Sequence, residues 1–171
     1  MTVAAEAEEF LREGTLSSSC CPAYVAYVEK NFPALRPLIS HTPSPMVAAA
    51  RYLKEVHPGA KVVFIGPCTA KKAECMRPEV HPFVETVITF EELQALFDSR
   101  DLDLLALPEE TPDDASYFGR IFARGGGLSE ALAAYLAEDG AAADLRPCTC
   151  DGIEQCRAAL LRLSAGKNNF N

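Results

Sequence analysis

Apolar and charged positions alternate along the chain in blocks of helical spacing, separated by short β-branched runs. Over residues 3–13, Ala and Glu alternate around Phe10 and Leu11, which predicts a short amphipathic helix closed by Gly14. After Ser17-Ser18-Ser19-Cys20-Cys21-Pro22, the apolar residues Tyr24, Val25, Tyr27, Val28 and Phe32 recur at helical spacing. Pro22 suits the first helical position, where a missing N–H costs nothing, and the serines supply caps for the free amides. Pro33, Pro37, Pro43 and Pro45 break up the next stretch. A helix is then expected from Pro45 through Met46, Ala49, Tyr52, Leu53 and Val56, stopping at His57-Pro58-Gly59.

The run Lys61-Val62-Val63-Phe64-Ile65, followed at once by Gly-Pro, reads as a buried parallel strand. Val84 to Ile88 reads as a second. Thr89 with Glu92 makes a capping box for a helix reaching about Ser99. Leu102 to Leu107 fits either a third strand or a helix end, and the acidic Pro108–Asp114 stretch a loop. Tyr117–Ala123 is short and apolar and leads into Gly125-Gly126-Gly127. Ser129 is placed to cap a helix through Leu132, Tyr135 and Leu136. Asp144–Thr149 reads as a last strand and Asp151 to Ser164 as a final helix. Strands alternating with helices predict an α/β fold around a parallel sheet. The tail Lys167–Asn171 offers no closing element and reads as a chain cut in mid-course.

The chain has 171 residues, the size of one domain, with 49% hydrophobic and 23% charged residues, an ordinary globular composition. A net charge of −8 argues against nucleic acid and anionic membrane surfaces as partners. No stretch approaches the roughly 20 apolar residues of a membrane span. The acidic N-terminus resembles neither a signal nor a transit peptide, so a cytoplasmic protein is expected.

Seven cysteines change that picture. An odd count in a reducing compartment points to metal ligation or redox chemistry rather than a disulfide framework. Cys20 and Cys21 sit where a helix begins, and the exposed amides there stabilise a thiolate. Their side chains diverge, so one ligand plus one unligated thiol fits better than two ligands to one cluster. Adjacent buried cysteines are the plain alternative. Gly66-Pro67-Cys68-Thr69-Ala70-Lys71-Lys72 places a cysteine just past a strand end beside two lysines, whose positive potential favours a thiolate. A solvated lysine pair in a surface loop fits equally well. The glycines before Leu128 suit a plain turn or a close backbone approach, and no Gly-Lys-Ser/Thr follows to make a nucleotide loop. Cys148-Thr149-Cys150 and Cys156 lack zinc-site spacing, and His41, His57 and His81 are scattered. Cys75 and Cys156 read as small buried hydrophobes.

Several segments together resemble iron-only ([FeFe]) hydrogenases, in the H-cluster domain that ends the large subunit. Ser19-Cys20-Cys21-Pro22 resembles that family's TSCCP segment, and Pro67-Cys68-Thr69-Ala70-Lys71-Lys72-Ala73-Glu74 its PCTAKKxE segment. Ser44-Pro45-Met46 and the glycine stretch resemble two further segments in the family's order. The resemblance implies a [4Fe–4S] cubane joined to a di-iron centre, with Cys21 and Cys68 as metal ligands. It implies Cys20 as proton shuttle, Lys71 as the group facing the di-iron unit and Ser40 as a catalytic residue on the proton path. Ser44 and Phe122 would line the cofactor pocket.

The resemblance further implies a three-layer lobe, a small and mostly parallel sheet flanked by helices. Residues 1–171 are then one partial domain, lacking the upstream lobe and the last two cubane cysteines. The parent would interconvert protons and electrons with H2, or sense H2. Ferredoxin or ferredoxin-like domains are its expected partners, along with the missing remainder of the domain. The piece itself is expected to bind no cluster and to be inactive. The alternative is a non-catalytic [4Fe–4S] protein on the same fold, with Cys148 or Cys150 supplying ligands. Three departures stand out: Gly66 where the family's methionine precedes Pro-Cys-Thr, Met46 in place of glutamine, and Arg124 at a small-residue position.

Overall fold

A computed structural model describes residues 2–111, 115–141 and 143–171; the end of the acidic loop, 112–114, lies outside the described residues. Among those described, the chain is mostly helical, with α-helices α1 (Thr2–Glu13), α2 (Pro22–Asn31), α3 (Pro45–Val56), α4 (Ala70–Cys75), α5 (Phe90–Asp98), α6 (Tyr117–Ile121), α7 (Gly127–Glu138) and α8 (Ile153–Ser164). Two strands, β1 (Val63–Ile65) and β2 (Thr86–Ile88), form a parallel pair in the register Val63↔Thr86, Phe64↔Val87, Ile65↔Ile88. The chain divides into two compact units. The first contains Met1–Ser19, Tyr24–Thr42 and Asp113–Asn171; the second contains Cys20–Ala23 and Pro43–Pro112.

In the first unit α1 lies along α7. The periodicity of α1 buries Val3, Ala7 and Phe10, which pack with Ile121, Ala131, Leu132 and Leu136. Gly14, at φ +71°, ends α1. A separate cluster joins Val25 and Val28 of α2 to Ile39 and to Leu160 of α8. Each fully buried side chain of this size contributes about 1.5–3 kcal/mol. A parallel bridge between Ser17 and Ile39 fixes the chain on either side of α2: Ser17 N–H donates to Leu38 and Ser40 N–H to Ser17, both at 2.7 Å.

The second unit is built on Met46, Val47, Ala50, Cys75, Val80, Val84 and Val87. Ser44 caps α3 by accepting from Val47 N–H at 3.4 Å, and Pro45 follows at the first helical position. Thr89 and Glu92 form the expected capping box at the start of α5. Cys75 is buried as expected, and its thiol donates to the Val84 carbonyl at 3.2 Å.

Five expectations need correction. The apolar run of β1 was expected to be buried, yet Val63 and Ile65 are 47% and 43% exposed. Only Val62 and Phe64, on the opposite side of the pleat, pack on the core, because the sheet covers that core with one face. Leu102–Leu107 holds a single 3-10 turn, Leu104–Ala106, capped by Asp103, with Leu105 almost fully exposed. Asp144–Thr149 forms no strand. Its polar groups go instead to the tail: Arg146 N–H donates to Asn171 Oδ1 at 2.8 Å, and Asn171 N–H returns to the Arg146 carbonyl at 3.1 Å. The tail thus has a docking element. Ser129 does not cap α7, which starts earlier, at Gly127 behind a left-handed Gly126 with φ +76°.

The fold is therefore more helical than the alternation of strands and helices suggested. A 3-10 helix over Pro33–Leu38, the six-residue α4 and the short α6 all form where no helix was expected.

Candidate functional site

Two segments of the second unit carry the predicted thiols. Cys20 and Cys21 precede α2, and Cys68 lies between β1 and α4. The turn into α4 is closed by Lys71 N–H donating to the Cys68 carbonyl at 3.2 Å. The Lys71 side chain folds back, and its Nζ donates to the Cys20 carbonyl at 3.1 Å and to Glu74 Oε2 at 2.7 Å. One ammonium therefore holds the Cys20-Cys21 segment beside the Cys68 turn. Its side chain is 12% exposed and that of Glu74 8%, so this ion pair is shielded from water. The second lysine differs: Lys72 pairs with Glu92 on the surface, and that pairing pulls the Glu92 carboxyl below its ordinary range. Cys21 is exposed, while Cys20 and Cys68 are half-buried.

Ser40 belongs to the first unit, in a polar cluster around Glu9 of α1. Its hydroxyl donates to Glu9 Oε2 at 2.5 Å. His41 N–H donates to Oε1 at 2.9 Å, and His41 Nδ1 lies 2.8 Å from the same oxygen. Thr42 adds a longer contact from its hydroxyl at 3.3 Å. Burial pushes the Glu9 carboxyl up, but the hydrogen bonds from Ser40 and His41 outweigh it and hold it at about 2. One turn earlier, Glu6 is only 3% exposed. Burial, reinforced by the negative charge of Glu9, raises it from 4.5 to about 7.

Glu6 and Glu9 were missed in the sequence reading, although a signal was present. Val3, Ala7 and Phe10 define the buried stripe of α1, and Glu6 falls within it at the i+3 position from Val3. A carboxylate on an apolar stripe is the exception that marks a built polar site.

The remaining predicted residues have local roles. Ser44 caps α3. Phe122 ends α6 and packs half-buried on the cluster of Val3, Ile121 and Ala131. The glycine stretch serves a close backbone approach: a Cβ on Gly127 would lie 1.8 Å from the Ile121 carbonyl oxygen. Cys156 is only partly buried, so the core role expected for it is not what the structure gives; it lies near Cys148 and Cys150 instead.

A cubane takes four cysteine ligands. The second unit carries both Cys21 and Cys68, and among the described residues no group of three or more His, Cys, Asp or Glu is arranged to hold a metal ion. Two such thiols fall short of the four a cubane takes. No helix among the described residues is long and apolar enough to cross a membrane.

The chain is 35% identical over 108 residues to the NADP-reducing hydrogenase subunit HndD of Solidesulfovibrio fructosivorans, covering 56% of this chain and 18% of that protein. It is 36% identical over 91 residues to the cytosolic Fe-S cluster assembly factor NAR1 of Kluyveromyces lactis, covering 53% of this chain and 19% of that one. The chain thus spans about a fifth of the length of these curated relatives. Its fold matches part of a variant of the [FeFe]-hydrogenase HydA1 from Chlamydomonas reinhardtii, with a TM-score of 0.68 at 21% identity over 100% of this chain and 62% of that one. The family described as iron only hydrogenase large subunit, C-terminal domain, matches residues 1–171, and the chain belongs to it.

Proposed function

We propose that this chain supplies one lobe of an [FeFe]-hydrogenase-type active site, in a protein that interconverts protons and electrons with H2 or senses H2. The observation that carries the reading is the Lys71 ammonium, which binds the Cys20 carbonyl at 3.1 Å and so joins the two cysteine-bearing segments in one unit. In this reading Cys21 and Cys68 are thiolate ligands to a cubane, and the group when bound would supply the redox chemistry of an H-cluster. Cys20 would be the proton shuttle, and the Lys71 side chain binds that residue's carbonyl.

On the same resemblance Ser40 is assigned to the proton path, and it sits in the polar cluster of the first unit. Ser40 Oγ and Glu9 Oε2 form a short hydrogen bond, and Glu6, at about 7, exchanges its proton near neutral pH. Ser44 and Phe122 are assigned to the pocket lining on the same reading. Ferredoxin-like domains are the proposed electron partners. The outward apolar side chains of the second unit, Val63 and Ile65 of β1 and Leu105, would meet the rest of the domain.

With half of the cubane ligands, the chain alone neither assembles the H-cluster nor evolves hydrogen. The test is substitution in a protein that carries this sequence with the remaining ligands. Cys21→Ser and Cys68→Ser should each lower bound iron and abolish hydrogen turnover, whereas Cys20→Ser should keep the iron and lose turnover. Unchanged iron content in both ligand variants would overturn the assignment.

A second reading is favoured by the similarity to NAR1, a cytosolic Fe-S cluster assembly factor. The protein would then hold an iron–sulfur cluster without hydrogen chemistry. Hydrogen turnover by the iron-loaded protein separates the two readings.

A further inference from the structure

Cys148, Cys150 and Cys156 have no part in the proposed cluster site, and their placement is specific. Cys148, Thr149 and Cys150 lie in a stretch that forms neither helix nor strand. Thr149 lies against Gly126, with its Oγ1 3.3 Å from where a Cβ on that glycine would stand. Cys148 and Cys150 turn toward each other, with their Sγ atoms 3.9 Å apart. Gly152, at φ +80°, turns the chain into α8. That turn returns Cys156, in the first turn of the helix, to the neighbourhood of Cys150, whose thiol it helps to raise. Three thiols thus converge beside Tyr24, whose phenol is raised first by burial and further by these three neighbours, against the lowering effect of the Ser17 hydrogen bond.

We propose that Cys148 and Cys150 are a reversible dithiol–disulfide pair, a modification site that peroxide or disulfide oxidants close. A metal is the weaker use of these thiols, since no described group of three or more donors is arranged to hold one. A disulfide needs only the closure of 3.9 Å to about 2.05 Å. The segment lies outside helix and strand, so side-chain rotation achieves this without breaking a backbone ladder.

The exposed Cys148 is the first thiol an oxidant meets. Its sulfur attacks one peroxide oxygen: an S–O bond forms, the O–O bond breaks and the leaving oxygen departs as water, giving a sulfenic acid. The Cys150 sulfur then attacks that sulfenic sulfur. An S–S bond forms, the S–O bond breaks, and a second water leaves with the Cys150 proton. Two thiols lose two electrons in total, and one peroxide gains them. Burial and the neighbouring thiols push Cys150 up to about 12, so it remains a protonated thiol until its partner is oxidised. Cys156 is left as the third, unbridged thiol.

Peptide mapping of the intact chain tests the assignment. Trypsin releases residues 125–157 as one peptide containing all three cysteines, because Arg146 is followed by Pro147. After one equivalent of hydrogen peroxide and alkylation, this peptide should be two hydrogens lighter and carry one adduct, on Cys156, in place of three. Dithiothreitol should restore three adducts. Cys148→Ser and Cys150→Ser should each abolish the lighter form, and Cys156→Ser should retain it. A peptide that keeps three alkylated cysteines while Cys20 and Cys21 oxidise would overturn the proposal. So would a lighter form that survives Cys150→Ser.

Discussion

Each of the two units buries a carboxylate, and they satisfy it in opposite ways. In the first, Glu9 is held by neutral donors, the Ser40 hydroxyl and the His41 amide, with the His41 ring beside it. In the second, Glu74 is held by one full charge, the Lys71 ammonium at 2.7 Å. A carboxylate among neutral hydrogen-bond donors keeps its charge through many small contributions, and protons can exchange along them. An ion pair sealed from water concentrates everything in one partner, whose loss leaves an uncompensated charge. The difference separates a carboxylate held by several donors in the first unit from one held by a single charge that also binds the Cys20 carbonyl in the second.

The sharpest way to break that comparison is Lys71→Ala. Removing the ammonium strands Glu74 and releases the Cys20 carbonyl, so denaturant unfolding should show a loss of about 3–5 kcal/mol. Adding Glu74→Gln should recover part of it. A loss below about 1 kcal/mol would place the pair with ordinary surface bridges.

Glu6→Gln comes next, with an effect that depends on pH. The Glu6 carboxyl rises from 4.5 to about 7 on folding, so its contribution is complete below pH 4.5 and is lost as pH climbs through 7. Glutamine removes that loss. The variant should match the parent at pH 4 and exceed its stability by up to about 3 kcal/mol at pH 8. Equal stability across the range would contradict the burial argument. Glu9 works in the other direction: held at about 2, it contributes above its ordinary value and loses that contribution as pH falls toward 2.

Ser40→Ala should cost about 2 kcal/mol, the loss of one hydrogen bond to a charged acceptor. It should also move acid unfolding to higher pH, because Glu9 loses a donor that holds its carboxyl down. Smallest is Ser44→Ala. Its hydroxyl caps α3, so about 1 kcal/mol should be lost in thermal unfolding, with no change in the pH profile.

What the sequence made legible follows the range of the interactions concerned. Helix starts and stops are local, and Gly14, Pro45 and the Thr89–Glu92 box announced their roles from a few neighbouring residues. The paired strands were visible as β-branched runs, but Asp144–Thr149 was not separable from a strand. Its bonding partner is Asn171, which no periodicity connects to it. α4 was hidden because it is only six residues long and its apolar pattern is cut by Lys71, Lys72 and Glu74. The cysteine segments were readable as motifs. That Lys71 would reach the Cys20 carbonyl from 51 positions away was not, nor was the meeting of Glu9 with Ser40 across 31.

The central claim is that Cys21 and Cys68 are half of a cubane's ligands. Its most direct test is the iron and sulfide content of the isolated chain after anaerobic reconstitution, measured with the EPR spectrum of the reduced sample. The account predicts well under one cubane per chain, and no [4Fe–4S] signal that survives desalting. Four irons and four sulfides per chain, with a stable cubane spectrum, would contradict it.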